Sequence, residues 1–74
     1  MFKRGIIIDV KYSPAEGLYC HVIRQDLTIN EDGNEYEVTW ICETSEDLFG
    51  AGDKVSFYLQ DGTITRLRLN PFGV

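Results

Sequence analysis

The chain has 74 residues, of which 43% are hydrophobic, and its 12 acidic and 7 basic side chains give a net charge of −5. A chain this short is expected to form one domain, residues 1–74, that buries roughly 60% of its unfolded surface, which leaves little core for a deep catalytic cleft. The apolar run Ile6–Ile8 is far shorter than the about twenty residues of a transmembrane helix. Asp9 and Lys11 also interrupt any apolar region of a signal peptide. We therefore expect a cytoplasmic domain that does not enter a membrane.

The charges are distributed unevenly along the chain. Residues 26–53 contain nine acidic side chains and no basic one, whereas residues 1–25 and 54–74 each have a net positive charge. A negative protein repels phosphate at long range, so binding of nucleic acid requires a basic or aromatic surface that faces away from the acidic middle.

Alternating and β-branched segments predict five strands, at residues 4–12, 18–29, 35–42, 54–60 and 63–69. The segment 13–17 contains Pro14 and Gly17 and predicts a turn, and the pairs Asp32-Gly33 and Asp61-Gly62 are typical of tight hairpins. Residues 44–49 are the one segment that suits a single turn of helix, with Thr44 or Ser45 as its cap.

If Asp32 and Gly33 form a two-residue turn, the register of the central hairpin follows. Its apolar face then pairs Ile29 with Tyr36, Leu27 with Val38, and Ile23 with Cys42. Trp40 and Tyr36 lie on that face, where core packing is the favoured interpretation. The apolar parity of the strand changes near Arg24-Gln25, which predicts a bulge or bend there.

The last two strands form a second hairpin. Val55, Phe57 and Leu59 are predicted to point inward from the fourth strand, and Ile64, Arg66 and Arg68 to share one face of the fifth. A short sheet leaves exposed edges unless it closes. The predicted fold class is therefore all-β, a small five-stranded antiparallel barrel made of a three-strand meander, a loop and a hairpin.

Several short motifs stand at characteristic places along the predicted strands: Gly5 at the start of the first strand, Val10-Lys11-Tyr12 at its end, Gly17 after the turn, Leu48, and Gly52-Asp53-Lys54-Val55-Ser56-Phe57. Together they resemble the cold-shock-like domains of the oligonucleotide/oligosaccharide-binding (OB) fold. The resemblance covers most of the chain in layout and about a dozen residues in identity. It implies an OB-like barrel that binds single-stranded RNA or DNA on a strand face.

The strand that carries the family's aromatic nucleic-acid motif departs from the pattern. Glu16 stands where the family has lysine, and Leu18 and Cys20 stand where it has phenylalanine. We therefore expect weak binding. The candidate binding residues are Lys11 as the charge, with Tyr12, Tyr19 and His21 as a stacking face. The alternative for Tyr19 and His21 is that they cover the barrel.

The acidic middle supports a second hypothesis. Glu31, Asp32, Glu35 and Glu37 could form a surface that docks on a basic protein, without nucleic-acid binding, or they could be a solvated face that keeps the domain soluble. Arg66 and Arg68 are read either as phosphate contacts or as neutralising partners of the acidic ribbon.

No catalytic motif is recognisable, and we expect that the domain is not an enzyme. His21 is the single histidine and has no identifiable catalytic partner. Cys20 and Cys42 lack the companions of a zinc site and are expected to be unpaired thiols. We expect no metal and no cofactor.

Overall fold

The structure is a computed structural model that describes residues 1–29 and 31–73. The elements are strands: β1 (Phe2–Ser13), β2 (Leu18–Gln25), β3 (Thr28–Ile29), β4 (Glu35–Tyr36), β5 (Thr39–Thr44), β6 (Lys54–Gln60) and β7 (Thr63–Leu69). The predicted all-β class is thereby confirmed. Within the described ranges there is no helix, and hence none of the length and hydropathy needed to cross a bilayer. The helical turn predicted at 44–49 is wrong, because Thr44 extends β5 and its hydroxyl donates a hydrogen bond to the carbonyl oxygen of Glu46 (2.6 Å).

Five strands form one antiparallel sheet in the order β5-β2-β1-β6-β7, and β3 and β4 form a separate two-stranded sheet. The five-stranded architecture agrees with the prediction. Across the described residues β5 and β7 remain edge strands, so the sheet is not closed into a barrel. It is nevertheless curled, because side chains of both edge strands pack against the same core. The core contains Ile7, Ile23, Val55 and Phe57, and Trp40, Cys42, Ile64 and Leu67 pack on it.

The predicted register of the central hairpin is wrong. Ile23 faces Trp40, not Cys42, and Cys42 faces His21. The cause lies at residues 26–27 and 37–38, which leave the strand ladder, so that β3 and β4 pair one position out of register with β2 and β5. The last register pair of β3 and β4 is Ile29 with Glu35, so Asp32-Gly33 is not a two-residue turn.

The same break changes which side chains of the hairpin point inward. Leu27 and Tyr36 are exposed, whereas Trp40 packs against the core and its Nε1 donates to Oε1 of Gln25 (2.9 Å). The predicted irregularity near Arg24-Gln25 is confirmed, because β2 ends at Gln25.

Two bulges that the sequence pattern did not reveal change which side chains of β1 and β7 point toward the core. The register of β1 against β2 shifts between Ile7 and Asp9, and Ile8 is exposed. The register of β6 against β7 shifts between Ser56 and Tyr58, opposite Arg66, whose φ is 55°. Ile64 therefore packs against the core. The prediction that Ile64 shares a face with Arg66 and Arg68 is wrong.

The fourth predicted strand has the expected alternation. Val55 and Phe57 are buried and Leu59 packs against the core, while Tyr58 and Gln60 are exposed. Cys20 and Cys42 are free thiols, as predicted. They are separated because Cys42 pairs with His21 and Cys20 pairs with Glu43, which places the two thiols on opposite faces of the sheet.

Candidate nucleic-acid interface

Two of the predicted stacking residues lie side by side. Tyr12 on β1 and Tyr19 on β2 are register partners at the end of the hairpin, and their ring centroids are 4.8 Å apart with an interplanar angle of 44°. The turn that joins the strands is closed by a hydrogen bond from the Gly17 amide to the Ser13 carbonyl (2.8 Å), and Gly17 has a φ of 67°, which glycine adopts without strain. Tyr12 is exposed and Tyr19 is half-buried.

The prediction that His21 belongs to an exposed stacking face is wrong. Its side chain is 0% exposed, because position 21 points into the curled sheet. The ring Nδ1 lies 3.3 Å from the carbonyl oxygen of Cys42, to which it donates, and the ring meets Phe49 edge-on at 5.5 Å. Nε2 has no hydrogen-bond partner among the described residues. His21 is part of the packing that positions Phe49 and is not accessible to a base.

Lys11 is separated from the tyrosine pair by the alternation of the strand. It pairs with Cys20, while Tyr12 pairs with Tyr19, so the lysine and the tyrosines lie on opposite faces. Its Nζ is 4.0 Å from Oδ2 of Asp9, in an exposed ion pair. Of the four predicted binding residues, the structure brings together only Tyr12 and Tyr19.

The four predicted docking residues lie on the β3–β4 hairpin and just beyond it. Glu31, Asp32, Glu35 and Glu37 are all exposed. The hairpin forms its own two-stranded sheet, and Glu37, just beyond it, borders a groove with Arg24 of the main sheet.

A basic surface lies on the outer face of the main sheet, where the sequence analysis had not placed a complete site. Ile6 is flanked by Arg24 on β2 and by Lys54 on β6, since both are its register partners. Residues directly opposite each other in antiparallel strands share a face, and so does the residue two positions along, which is Arg4. Arg4, Arg24 and Lys54 border a depression of about 270 Å³ that Asp26 also borders.

The same face carries two aromatic rings on β1 and β6 and continues onto β7 with Arg66 and Arg68. Phe2 pairs with Tyr58, and their rings are 5.4 Å apart with an interplanar angle of 67°. The guanidinium carbon of Arg66 is 5.6 Å from the centroid of the Tyr58 ring. Arg68 pairs with Ser56 and, with Phe2 and Tyr58, lines a groove of about 220 Å³.

We call this surface the basic outer face, defined by Phe2, Arg4, Arg24, Lys54, Tyr58, Arg66 and Arg68. The five basic residues of this face come from four strands and are spread between positions 4 and 68 of the sequence, so local pattern could not reveal the cluster. The pairing of β1 with both β2 and β6 was the missing information.

Burial and a neighbouring carboxylate change the pKa of one thiol near the tyrosine pair, that of Cys42. The pKa of Cys42 is raised above its usual value, first because the thiol is partly desolvated and second because the negative charge of Glu43 disfavours a thiolate. Cys42 is therefore a packing residue whose thiol stays protonated at neutral pH.

Comparison of the chain with protein-family models, with curated proteins and with solved structures finds no match to any of the three.

Proposed function

We propose that the domain binds single-stranded nucleic acid weakly, through the basic outer face. The observation that carries the proposal is that five of the chain's seven basic residues lie on one face of the sheet beside the ring pair of Phe2 and Tyr58. Nine of the 12 acidic residues belong to the segment 26–53, and Asp26 of this segment borders the basic outer face beside Arg4 and Arg24.

The face supplies both contacts that a single strand requires. Bases stack on Phe2 and Tyr58, and each stacked base contributes about 1–3 kcal/mol. Arg66 and Arg68 bind phosphates next to the rings by donating hydrogen bonds to them. The guanidinium of Arg66 over the Tyr58 ring adds a cation–π contact. The net charge of −5 opposes the approach of a polyanion, so the affinity is low.

The location differs from the one that the sequence suggested. The Tyr12–Tyr19 pair borders a groove with Asp9 and Asp47, whose carboxylates repel phosphate. The basic outer face has aromatic rings and cations in contact, which supports it over the tyrosine pair.

Two substitutions that change the net charge equally test the location. Arg68→Gln removes a cation from the basic outer face, and Lys11→Gln removes one from the opposite end of β1. With a fluorescent oligouridylate at low salt, we expect Arg68→Gln to weaken binding by about three- to fivefold, the size of one phosphate contact, and Lys11→Gln by much less. A larger effect of Lys11→Gln would move the site to the β1–β2 end that the sequence suggested.

A second candidate function is docking of the β3–β4 hairpin on a basic protein, without nucleic acid. The specific observation in its favour is that Glu31, Asp32, Glu35 and Glu37 are all exposed on the β3–β4 hairpin or just beyond it. It predicts that a basic polypeptide binds and an oligonucleotide does not. Exchange of Glu35 and Glu37 for glutamine would then abolish the binding, whereas Arg68→Gln would leave it unchanged.

A further inference from the structure

A groove of about 370 Å³ lies between the ends of β1 and β2 and the segment 47–51. Three aromatic residues line it, Tyr12, Tyr19 and Phe49, and the acidic residues Asp9 and Asp47 border it. None of the described residues that line it is basic. The groove is thus aromatic and acidic, the reverse of the basic outer face.

The aromatic walls of the groove are held in place by contacts with each other and with a buried side chain behind them. Phe49 meets the ring of His21 edge-on at 5.5 Å, and His21 is completely buried and anchored to the carbonyl oxygen of Cys42. Tyr12 and Tyr19 are fixed to each other at 4.8 Å across the first hairpin. Because these rings are already ordered, a ligand that stacks on them loses little of its binding energy to ordering them.

The loop beside the groove is also fixed. The amide of Gly50 donates to Oδ2 of Asp53 (2.9 Å), and the amide of Gly52 donates to the carbonyl oxygen of Ile7 (2.8 Å). These bonds tie the segment that carries Asp47 and Phe49 to β1.

The charges on the border are only partly neutralised. One oxygen of Asp9 accepts a hydrogen bond from the Val10 amide (2.9 Å) and the other is 4.0 Å from Lys11 Nζ. Asp47 is exposed and forms no ion pair with any residue in 1–29 or 31–73. Negative ring faces and an unneutralised carboxylate attract the same ligand, a cation.

We propose that this groove binds the guanidinium group of an arginine side chain from a basic protein partner. A guanidinium is flat and weakly hydrated, so it can stack on a tyrosine ring and pair with a carboxylate at the same time, whereas a lysine ammonium is a strongly hydrated point charge. The charge complementarity that favours arginine excludes phosphate. The groove and the basic outer face therefore recognise opposite chemistries, and this inference does not depend on the proposed binding of nucleic acid.

The test is an NMR titration of the ¹⁵N-labelled domain with the blocked peptide acetyl-Gly-Arg-Gly-amide at low salt. We expect amide shifts at Tyr12, Tyr19, Asp47 and Phe49. The matched control peptide has citrulline, which keeps the shape and removes the charge, and it should produce no shifts there. A lysine peptide should bind at least threefold more weakly.

Two variants separate the groove from general acidity. Asp47→Asn and Tyr12→Leu should each weaken the arginine peptide by about threefold, the usual size of an exposed cation–π or ion-pair contact. Asp32→Asn removes the same charge from the β3–β4 hairpin and should have no effect. The proposal is overturned if citrulline or lysine binds as well as arginine, if the shifts centre on residues 31–37, or if Asp47→Asn and Asp32→Asn behave alike.

Discussion

The guanidinium carbon of Arg66 lies 5.6 Å from the ring centroid of Tyr58, on a backbone whose φ is 55°. A left-handed backbone is unfavourable for a residue with a Cβ, and a bulge of this kind ordinarily places glycine there. The chain thus keeps a long cationic side chain at a position where glycine would be less strained. Strain of this kind is typical of functional positions, and it supports the proposal that Arg66 belongs to the binding face.

Replacing Arg66 separates strain from function. Both Arg66→Gly and Arg66→Ala remove the guanidinium and should weaken oligonucleotide binding to the same extent. Arg66→Gly should be the more stable of the two by about 1 kcal/mol, because only glycine relieves the positive φ. Urea unfolding measures the difference.

Arg68 is the matched control, because its φ is not positive and it lies in the extended part of β7. There the order should reverse, with Arg68→Ala more stable than Arg68→Gly by about 0.5–1 kcal/mol, since glycine is unfavourable inside a strand. The same order at both positions would contradict the assignment of the bulge.

Gly5 allows β1 and β2 to approach closely. A Cβ at this position would lie 2.5 Å from the backbone carbonyl oxygen of Arg24, which a strand in the middle of the sheet cannot move freely. We expect Gly5→Ala to destabilise the domain by about 1–3 kcal/mol, the usual cost of overpacking.

Gly50→Ala is the control for this substitution, because no atom lies within 4 Å of the added methyl group and its φ is not positive. It should change the free energy of unfolding by less than about 0.5 kcal/mol. Equal effects of the two substitutions in chemical denaturation would show that the strands are not as close as described.

The raised pKa of Cys42 predicts a loss of stability at alkaline pH. A thiol whose pKa is higher in the folded than in the unfolded state contributes stability that is fully present below the unfolded value of about 9.0 and is lost as the pH rises through the folded value. Comparison of wild type and Cys42→Ala by urea unfolding in reducing buffer, at pH 7 and pH 10, isolates this contribution. The wild type should lose more stability between the two pH values than the variant does, and identical losses would show that the thiol is not desolvated.

Salt should weaken the binding of a single strand strongly. If Arg66, Arg68 and one further cation each contact a phosphate, the logarithm of the binding constant falls with a slope of about −2 against the logarithm of salt concentration. An increase from about 20 to 200 mM salt then lowers affinity by about 100-fold, which fluorescence anisotropy can follow. Affinity independent of salt would mean that phosphates are not bound.

The sequence was sufficient to predict the strands that alternate regularly. Residues 54–60 and 63–69 form strands with the predicted bounds, since Val55, Phe57 and Leu59 mark the inward face and Asp61-Gly62 the turn. The prediction failed where an extra residue enters a ladder. The bulges at Ile8 and Arg66 change which face of the sheet the following side chains occupy. Neither position is a glycine, the residue that usually signals such a bulge.

The site was predictable only in part, for a related reason. Tyr12 and Tyr19 are close in sequence and are joined by a turn with a clear signal, so their contact followed from the local pattern. Arg24 and Lys54 lie thirty positions apart and meet only because both pair with Ile6, a relationship set by the tertiary arrangement of β1 between β2 and β6. His21 was misplaced because an aromatic, polar side chain on a strand gives no signal of its burial.

The central claim is that nucleic acid, when bound, lies on the basic outer face. The most direct measurement is an NMR titration of the ¹⁵N-labelled domain with a short oligouridylate at low salt, together with Tyr58→Ala, Tyr19→Ala and Tyr36→Ala, the last of these on the acidic hairpin. We predict shifts at Phe2, Arg4, Tyr58, Arg66 and Arg68, and at least a fivefold loss of affinity for Tyr58→Ala alone, the size of one lost stacking contact. Shifts that centre on Tyr12 and Tyr19, with the loss in Tyr19→Ala, or no shift at millimolar oligonucleotide, would contradict it.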